Sequence, residues 1–532
     1  MNAPPRQPTD TWRPNPSRAR LATPTPMPTR MQKLMRVWMR VWMPLTLMWP
    51  AAAMTNDAPA DTPTFPARPP ATWLTYHLAH PGTTAPGDPN AGLYWKGRYH
   101  LHYIYEGPSG ASWAHVSSRD MVHWRWHPTT LTPATMGHGL FSGTAFVTKE
   151  GRPAIIYHGA GSGRNQVAVA EDDLLERWSK PIPVEPRTAS GAVPEMRHWD
   201  PDCWVDGDAY FAISGGKDPH WMTSRDLRHW EYLGRLLPER TPALGVPRDE
   251  DISCPNMFRI GDHWMLLCLS HWMGARYYLG QFQDGKFLPE AHARLNWMCA
   301  FDVGHEDADL FAPESLLTPD GRRVMWAWAR VRQRLAGVPI QSSIQCLPRE
   351  ILLGPDGLVR LRPLRELEGL RHGGRSVGPV LVQANTSHRL RSLSGDALEL
   401  KVVFHGWPGL HAGVQVHGNA SGTDGFPIVF DAPGRALWMG GTPIPLELGS
   451  GEDLELRIFV DGSIIEVFAN DRVAALSPHR HEPGDVGVSL LSRGGPAVAR
   501  EVGGWKMRPI YGPARRGSVA TGATRPMGTG HR

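Results

Sequence analysis

Cysteine is scarce in this chain: five residues in 532, at Cys203, Cys254, Cys268, Cys299 and Cys346. The count is odd, the spacings are wide and the surroundings apolar. That excludes a disulfide framework and paired zinc spacings, and leaves buried free thiols. An excess of charge of one sign is also lacking. Lys and Arg number 56 against 51 Asp and Glu, a net charge of +5, and arginines near the two termini supply much of it. The body of the chain therefore carries no nucleic-acid footprint. No apolar run reaches membrane-spanning length. Convincing helical periodicity is missing from Trp73 to Arg360. A Gly-rich phosphate loop, a Gly-x-Ser-x-Gly elbow and a metal-ligand helix are absent too, so no cofactor and no metal is expected.

What the chain has in quantity is tryptophan, 22 against 14 Phe and 11 Tyr. Indole faces fill cores, and they also stack on the C–H faces of sugars. The hydrophobic fraction of 41% and charged fraction of 20% describe an ordinary globular protein with room for two or more domains. Residues 1–70 read as a leader without fold. Their first part is rich in Pro, Thr and Arg, which bury little apolar surface. Met31-Gln32-Lys33-Leu34-Met35-Arg36 then forms a basic n-region, followed by an apolar stretch to Trp49 and the small residues Ala51-Ala52-Ala53. This pattern predicts an exported protein with a signal peptide. Residues 513–532 are polar, Gly-rich and predicted to be disordered.

Between these ends the chain reads as short strands. Lys96-Gly97, Glu150-Gly151, Asp206-Gly207, Gly261-Asp262, Asp284-Gly285, Asp320-Gly321 and Asp356-Gly357 are hairpin cues between alternating runs. Many short strands without helices imply a sandwich, a barrel or a propeller. A weak repeat favours the propeller. Ser117-Ser118-Arg119-Asp120-Met121-Val122-His123-Trp124 returns as Thr223-Ser224-Arg225-Asp226-Leu227-Arg228-His229-Trp230, with a looser copy at Ala170–Trp178. The spacing suits one four-stranded blade per copy. Residues 71–360 are thus expected to form a propeller, 361–376 a linker and 377–512 a β-sandwich. Alternating strands are predicted at Ala397–Phe404, Leu454–Val460, Ile464–Ala469 and Val486–Leu491.

Three acidic segments carry candidate chemistry. Gly87-Asp88-Pro89-Asn90-Ala91-Gly92 sets a short carboxylate on a turn ahead of the aromatic hairpin Leu93–Tyr103. Arg197-His198-Trp199-Asp200-Pro201-Asp202 enters the strand Cys203-Trp204-Val205, and Arg248–Asp251 precedes Ile252-Ser253-Cys254-Pro255. In this order the segments resemble the Asn-Asp-Pro-Asn-Gly, Arg-Asp-Pro and Glu-Cys-Pro motifs of glycoside hydrolase family 32, the invertases, levanases and inulinases. Further matches in the family's order are Ser112-Trp113-Ala114-His115, Phe141-Ser142-Gly143, Phe301-Asp302-Val303-Gly304, Leu310–Pro313, Met325-Trp326-Ala327-Trp328 and Gln345–Glu350. Leu456–Asp471 is similar to the signature of the family's C-terminal sandwich. Asp461 and Glu466 within it lie around a hairpin outside the catalytic domain and are not expected to be catalytic.

The resemblance implies an all-β fold, a five-bladed β-propeller followed by a C-terminal β-sandwich. It also implies retaining hydrolysis of sucrose-, levan- or inulin-type fructosides through a fructosyl-enzyme intermediate. Retention needs a nucleophile and an acid/base group. Asp88 takes the nucleophile position, with a nearby Asn or turn amide expected to hold its carboxyl ionised. Asp200 takes that of the transition-state stabiliser. Asn90, Trp95, Trp113, Phe141, Ser142, Trp199 and Ser253 fall among the substrate-binding positions.

The sequence departs from the pattern twice. Trp199 stands where the family has Arg, so Arg197 or His198 is the expected charge partner of Asp200. Ser253 stands where the family has its acid/base Glu, and a serine hydroxyl does not usefully protonate a leaving alkoxide. Strand parity favours Asp251 as substitute; reach and intrinsic pKa favour Glu250, which is preferred. A fructosyltransferase using the same site, or a fructoside-binding propeller without catalysis, are the other readings. The expected partner is a small or polymeric fructoside.

Overall fold

The computed structural model describes residues 62–63, 74–81, 87–238, 244–247, 250–297, 308–330, 344–406 and 411–511. The leader apart from residues 62–63, the tail and the Phe301–Gly304 segment lie outside the described residues. Two architectures follow one another along the chain, a propeller and a sandwich, and nearly every regular element is a strand.

Among the described residues the propeller comprises five sheets, antiparallel but for one short parallel pairing in the third, whose strands run mostly in sequence order. Their first strands are Pro89–Trp95, Gly139–Val147, Pro201–Asp206, Ser253–Ile260 and Ala308–Leu317. Each first strand packs against the first strand of the next sheet, and the fifth returns to the first, so the ring closes. The hairpin cues act as their chemistry demands. At Lys96-Gly97 both residues have positive φ, 42° and 84°, the twist that matches the flanking strands.

The repeat has a physical cause. Each copy sits between the third and fourth strands of one of the first three sheets. In the first, Asp120 Oδ1 accepts from the N–H groups of Val122 and His123 and from the Ser118 hydroxyl. In the second, Asp226 Oδ1 accepts from Arg228 and His229, and in the looser copy Asp172 Oδ1 accepts from Leu174 and Glu176. The apolar residue of each turn, Met121, Leu175 or Leu227, has φ near 60° (59°, 59° and 63°) and is buried. The aspartate holds a turn that must bend left-handed to bring that side chain under the sheet.

A belt of hydrogen bonds joins the five first strands. Gly143 N–H donates to Asn90 Oδ1 (2.9 Å), and the Thr144 hydroxyl to Asp202 Oδ1 (2.8 Å). Met257 N–H donates to Asp202 Oδ2 (2.6 Å), Asn256 Nδ2 to Glu314 Oε2 (2.9 Å), and Gly92 N–H to Glu314 Oε1 (2.7 Å). The last bond links the fifth sheet to the first. Sheets otherwise held by non-directional packing gain a fixed register around the axis.

The segment expected as a linker, 361–376, is largely structured. Val359–Pro363 is the last strand of the fifth sheet, and Arg371–Val377 is already an edge strand of the sandwich. Only the short 3₁₀ helix Arg365–Leu370 lies between, and Leu364, Leu367 and Leu370 are buried in a core that also holds Trp326, Phe459 and Phe468. The sandwich pairs a seven-stranded sheet with a six-stranded one. Its strands include Ala397–His405, Leu454–Asp461, Ile464–Ala469 and Gly487–Arg493.

Asp461 and Glu466 anchor the chain before the propeller. Asp461 accepts from the backbone N–H groups of Thr75, Tyr76 and His77 and pairs with His77 Nδ1 at 2.8 Å. Glu466 accepts from Arg349 at 2.6 Å and from Leu347 N–H at 2.8 Å. All four cysteines within the described residues, Cys203, Cys254, Cys268 and Cys346, are buried free thiols. His100, His102, His115 and His127 come together in the first sheet. They stack as a buried column, and burial lowers the pKa of each. Among the described residues no group of three or more His, Cys, Asp or Glu could hold a metal ion, and no helix is long and apolar enough to cross a membrane.

Candidate active site

The site lies where the first strands begin, at one mouth of the ring. Asp88 precedes the first strand of the first sheet, Asp200 that of the third, and Ser253-Cys254 open that of the fourth. Backbone geometry there is unusual. Ala91, Cys254 and Ala312 occupy bulges in three of the first strands with φ of 43°, 46° and 48°. Such conformations cost on the order of 1 kcal/mol each, and they turn neighbouring groups inward.

Cys254 shows what the bulge achieves. Its N–H donates to Asp200 Oδ2 at 3.1 Å, and its thiol lies 3.7 Å from Asp200 Oδ2 and 3.7 Å from Asp88 Oδ2. The Ser142 hydroxyl donates to Asp88 Oδ2 at 2.7 Å from the second sheet. Two carboxylates from different sheets therefore face one another across a single sulfur. Burial raises the pKa of Asp88, against the Ser142 bond and the charges of His271 and Arg330. Burial, reinforced by the charge of Asp88, pushes Asp200 up to about 6.

Asn90 does not hold the Asp88 carboxyl, contrary to expectation. Its Nδ2 donates to the Asp88 carbonyl at 2.8 Å, and its Oδ1 belongs to the inter-sheet belt. Both ends of the buried amide bond to backbone, so Asn90 shapes the turn. Trp95 is misassigned as well. It lies at the opposite end of Pro89–Trp95 from Asp88, roughly 20 Å away at about 3.3 Å per residue. Its ring packs with Leu93, Ala170, Leu175 and Trp178. Trp113 is fully buried and donates its indole N–H to the Phe141 carbonyl at 3.2 Å, supporting the rim from behind. Phe141 itself is exposed and stacks on His158.

The two departures from the family pattern meet. Trp199 Nε1 donates to Ser253 Oγ at 2.8 Å, and Ser253 Oγ donates to Asp251 Oδ2 at 2.8 Å. Arg197 is not the partner of Asp200; its guanidinium stacks over the Trp199 ring at 4.1 Å. Nor is His198, whose ring accepts from Asn165 N–H and is pushed down to about 4 by burial.

Glu250 is not brought to the carboxylates. Alternation along the extended chain puts Asp251 and Ser253 on the site face, and Glu250 and Ile252 on the other. There Glu250 lines a cavity of about 380 Å³ with Lys217, Asp218, Arg235 and Tyr278. Asp251 is at the site but cannot hold a proton near neutrality. Burial opposes its ionisation, yet hydrogen bonds from His271 and Ser253 outweigh this and bring it to about 2.

The sequence reading missed His271. It follows the second strand of the fourth sheet, His263–Ser270, which returns antiparallel beside Ser253, with Ser253 opposite Leu269. The hairpin register around Asp262 was the available signal. His271 Nδ1 lies 2.7 Å from Asp251 Oδ2, and the charges of Asp251, Asp200 and Asp88 all act on its ring. It also missed the belt residues Asp202 and Glu314, buried carboxyls pushed up to about 6 and about 8 by desolvation.

Paired carboxylates at the mouth of a propeller backed by a sandwich define the architecture of a glycoside hydrolase. Residues 77–362 match the glycosyl hydrolases family 32 N-terminal domain and residues 366–505 the family 32 C-terminal domain. The chain belongs to glycoside hydrolase family 32. It is 28% identical over 473 residues to the sucrose-6-phosphate hydrolase of Escherichia coli, covering 81% of this chain and 94% of that one. To the raffinose invertase of the same species it is 28% identical over 473 residues, covering 82% and 95%. Among solved structures, fructan 1-exohydrolase IIa from Cichorium intybus superposes with a TM-score of 0.67 at 16% identity, over 82% of this chain and 97% of that chain.

Proposed function

We propose that the protein is a retaining β-fructofuranosidase that releases fructose from sucrose-type fructosides by double displacement at Asp88. The observation that carries this reading is the approach of Asp88 and Asp200 to one another across Cys254. In the first displacement the Asp88 carboxylate attacks the anomeric carbon of the fructosyl unit, forming an ester as the glycosidic bond breaks. Asp200 accepts hydrogen bonds from the sugar hydroxyls and offsets the positive charge that builds on the ring. Water then attacks the ester and restores Asp88.

The Cys254 N–H fixes the Asp200 oxygen, and Ser142 fixes that of Asp88, so neither carboxylate reorganises during the reaction. The names of the relatives, sucrose-6-phosphate hydrolase and raffinose invertase, support a small fructoside as substrate. The test is an assay for free fructose with sucrose, levan and inulin as substrates. Release from sucrose is expected. Binding of fructosides without turnover would favour the sugar-binding reading that Ser253 motivates.

A further inference from the structure

Glycoside cleavage needs a proton for the departing oxygen, and the residue at the family's acid position offers none. The Ser253 hydroxyl is committed at both ends, to Trp199 and to Asp251. Glu250 faces another cavity, and Asp251 stays ionised. Among the described residues, the titratable side chain bonded to this Ser253–Asp251 pair is His271. His271 is half exposed, its Nδ1 is 2.7 Å from Asp251 Oδ2, and its backbone N–H donates to Asp251 Oδ1 at 3.1 Å. Asp251 thus grips both the ring and the main chain of one residue. A carboxylate that takes the Nδ1 proton fixes the tautomer and directs chemistry to Nε2. Among the described residues Nε2 has no hydrogen-bond partner.

The ring packs edge-on against Phe311 at 6.0 Å, and Arg330 lies over that phenyl group, 4.5 Å from its centroid. The charged groups facing the imidazole are Asp251 from the approach to the fourth sheet, Asp200 from the third and Asp88 from the first. Burial opposes the imidazolium; hydrogen bonding to Asp251 and the three carboxylate charges outweigh it and raise the pKa. Its cationic form is thus favoured to higher pH than in a free imidazole, and the half-exposed ring leaves Nε2 unbonded among the described residues.

We propose that His271 is the acid/base catalyst of this site, with Asp251 as its positioning residue, the pair supplying the proton transfers for which Ser253 has no group. The proposal rests on the hydrolase reading above. In the first half-reaction the Nε2 proton passes to the glycosidic oxygen as the carbon–oxygen bond breaks. Asp88 bonds to the anomeric carbon, and the alcohol leaves neutral. In the second, the now neutral Nε2 takes a proton from water as that water's oxygen bonds to the anomeric carbon and the ester breaks. Asp88 returns as carboxylate and His271 as imidazolium, so the cycle closes without another reactant.

The test compares wild type, His271→Ala, His271→Gln and Asp251→Asn on sucrose and on a nitrophenyl β-fructofuranoside across pH. Wild type must first release fructose; if it does not, the hydrolase reading and this proposal fall together. With wild type active, His271→Ala should lose at least ~10²-fold in kcat/KM on sucrose, the usual scale of proton transfer. It should lose far less on the nitrophenyl substrate, whose leaving group needs no proton. The alkaline limb of the pH profile should vanish, and added imidazole should restore part of the sucrose rate. Asp251→Asn should keep the limb but move it to lower pH. His271→Gln, which retains a donor to Asp251, should show the same split between substrates if the alanine variant fails to fold. Sucrose turnover with an intact alkaline limb in folded His271 variants would overturn the proposal while leaving the hydrolase reading standing. An equal loss on both substrates without imidazole rescue would overturn it as well.

Discussion

Trp199 donates its indole N–H to Ser253 Oγ at 2.8 Å, so the two positions at which this chain departs from its family's pattern are bonded to each other. In place of the family's arginine and glutamate stand an indole and a hydroxyl. Both are neutral and they satisfy one another. The change removes one cation and one anion together, and the charge of His271 acts on Asp200.

Restoring one half of the pair should therefore fail. Ser253→Glu puts a carboxylate into a fully buried position next to Asp251, with an indole rather than a cation facing it. A melting temperature several degrees lower and no gain in activity are expected. Trp199→Arg combined with Ser253→Glu should recover much of that loss. Calorimetric melts of the two single variants and the double variant give the coupling directly.

Asp88→Asn should abolish fructose release, and Asp200→Asn should lower kcat by at least ~10²-fold, the scale of a lost preorganised contact. Neither change should lower the melt much, because each removes a carboxylate whose charge burial already disfavours. Steady-state kinetics with parallel melts checks both. An effect of Asp200→Asn confined to KM would make it a uniform binding residue.

The acid limb should lie unusually high. Reaction requires ionised Asp88, and protonation of the Asp88–Asp200 pair sets in as pH falls through about 6, the value to which Asp200 is raised. Activity is thus expected to fall below about pH 6 rather than near pH 4, where unperturbed carboxyls titrate. The pH dependence of kcat/KM measures this.

Stability should respond to alkali through His77. Burial opposes its protonation, yet bonding to Asp461 and Glu466 prevails and raises it from 6.5 to about 9. A raised folded-state value means stabilisation that is fully present below pH 6.5 and lost as pH rises through about 9. The melting temperature of wild type should fall across that window. His77→Gln should start lower and depend less on pH, which scanning calorimetry resolves.

What was legible in the sequence was local. Turn pairs such as Lys96-Gly97 dictate hairpins through φ, and the Asp120 and Asp226 turns recur because the first three sheets share the same left-handed bend. Asp88 and Asp200 were legible through the resemblance of their segments to the family's motifs, and both lie at strand entrances. Where reach was preferred over alternation, Glu250 was chosen, and the backbone turned it away. Trp95 read as part of the Asp88 motif because seven residues look close in sequence, though an extended strand carries them to opposite ends. His271 was invisible to a search for acids at the motif itself. Its approach to Asp251 depends on the register of a hairpin, Ser253 opposite Leu269, which no short motif states. Asp202 and Glu314 work across sheets and have no local signature.

The central claim is displacement by Asp88 with retention, and methanolysis tests it most directly. Sucrose turned over in the presence of methanol should give methyl β-fructofuranoside alongside fructose, identified by NMR of the product mixture, because methanol intercepts the ester on the face that water would use. Methyl α-fructofuranoside, or no release of the fructosyl unit at all, would contradict the account.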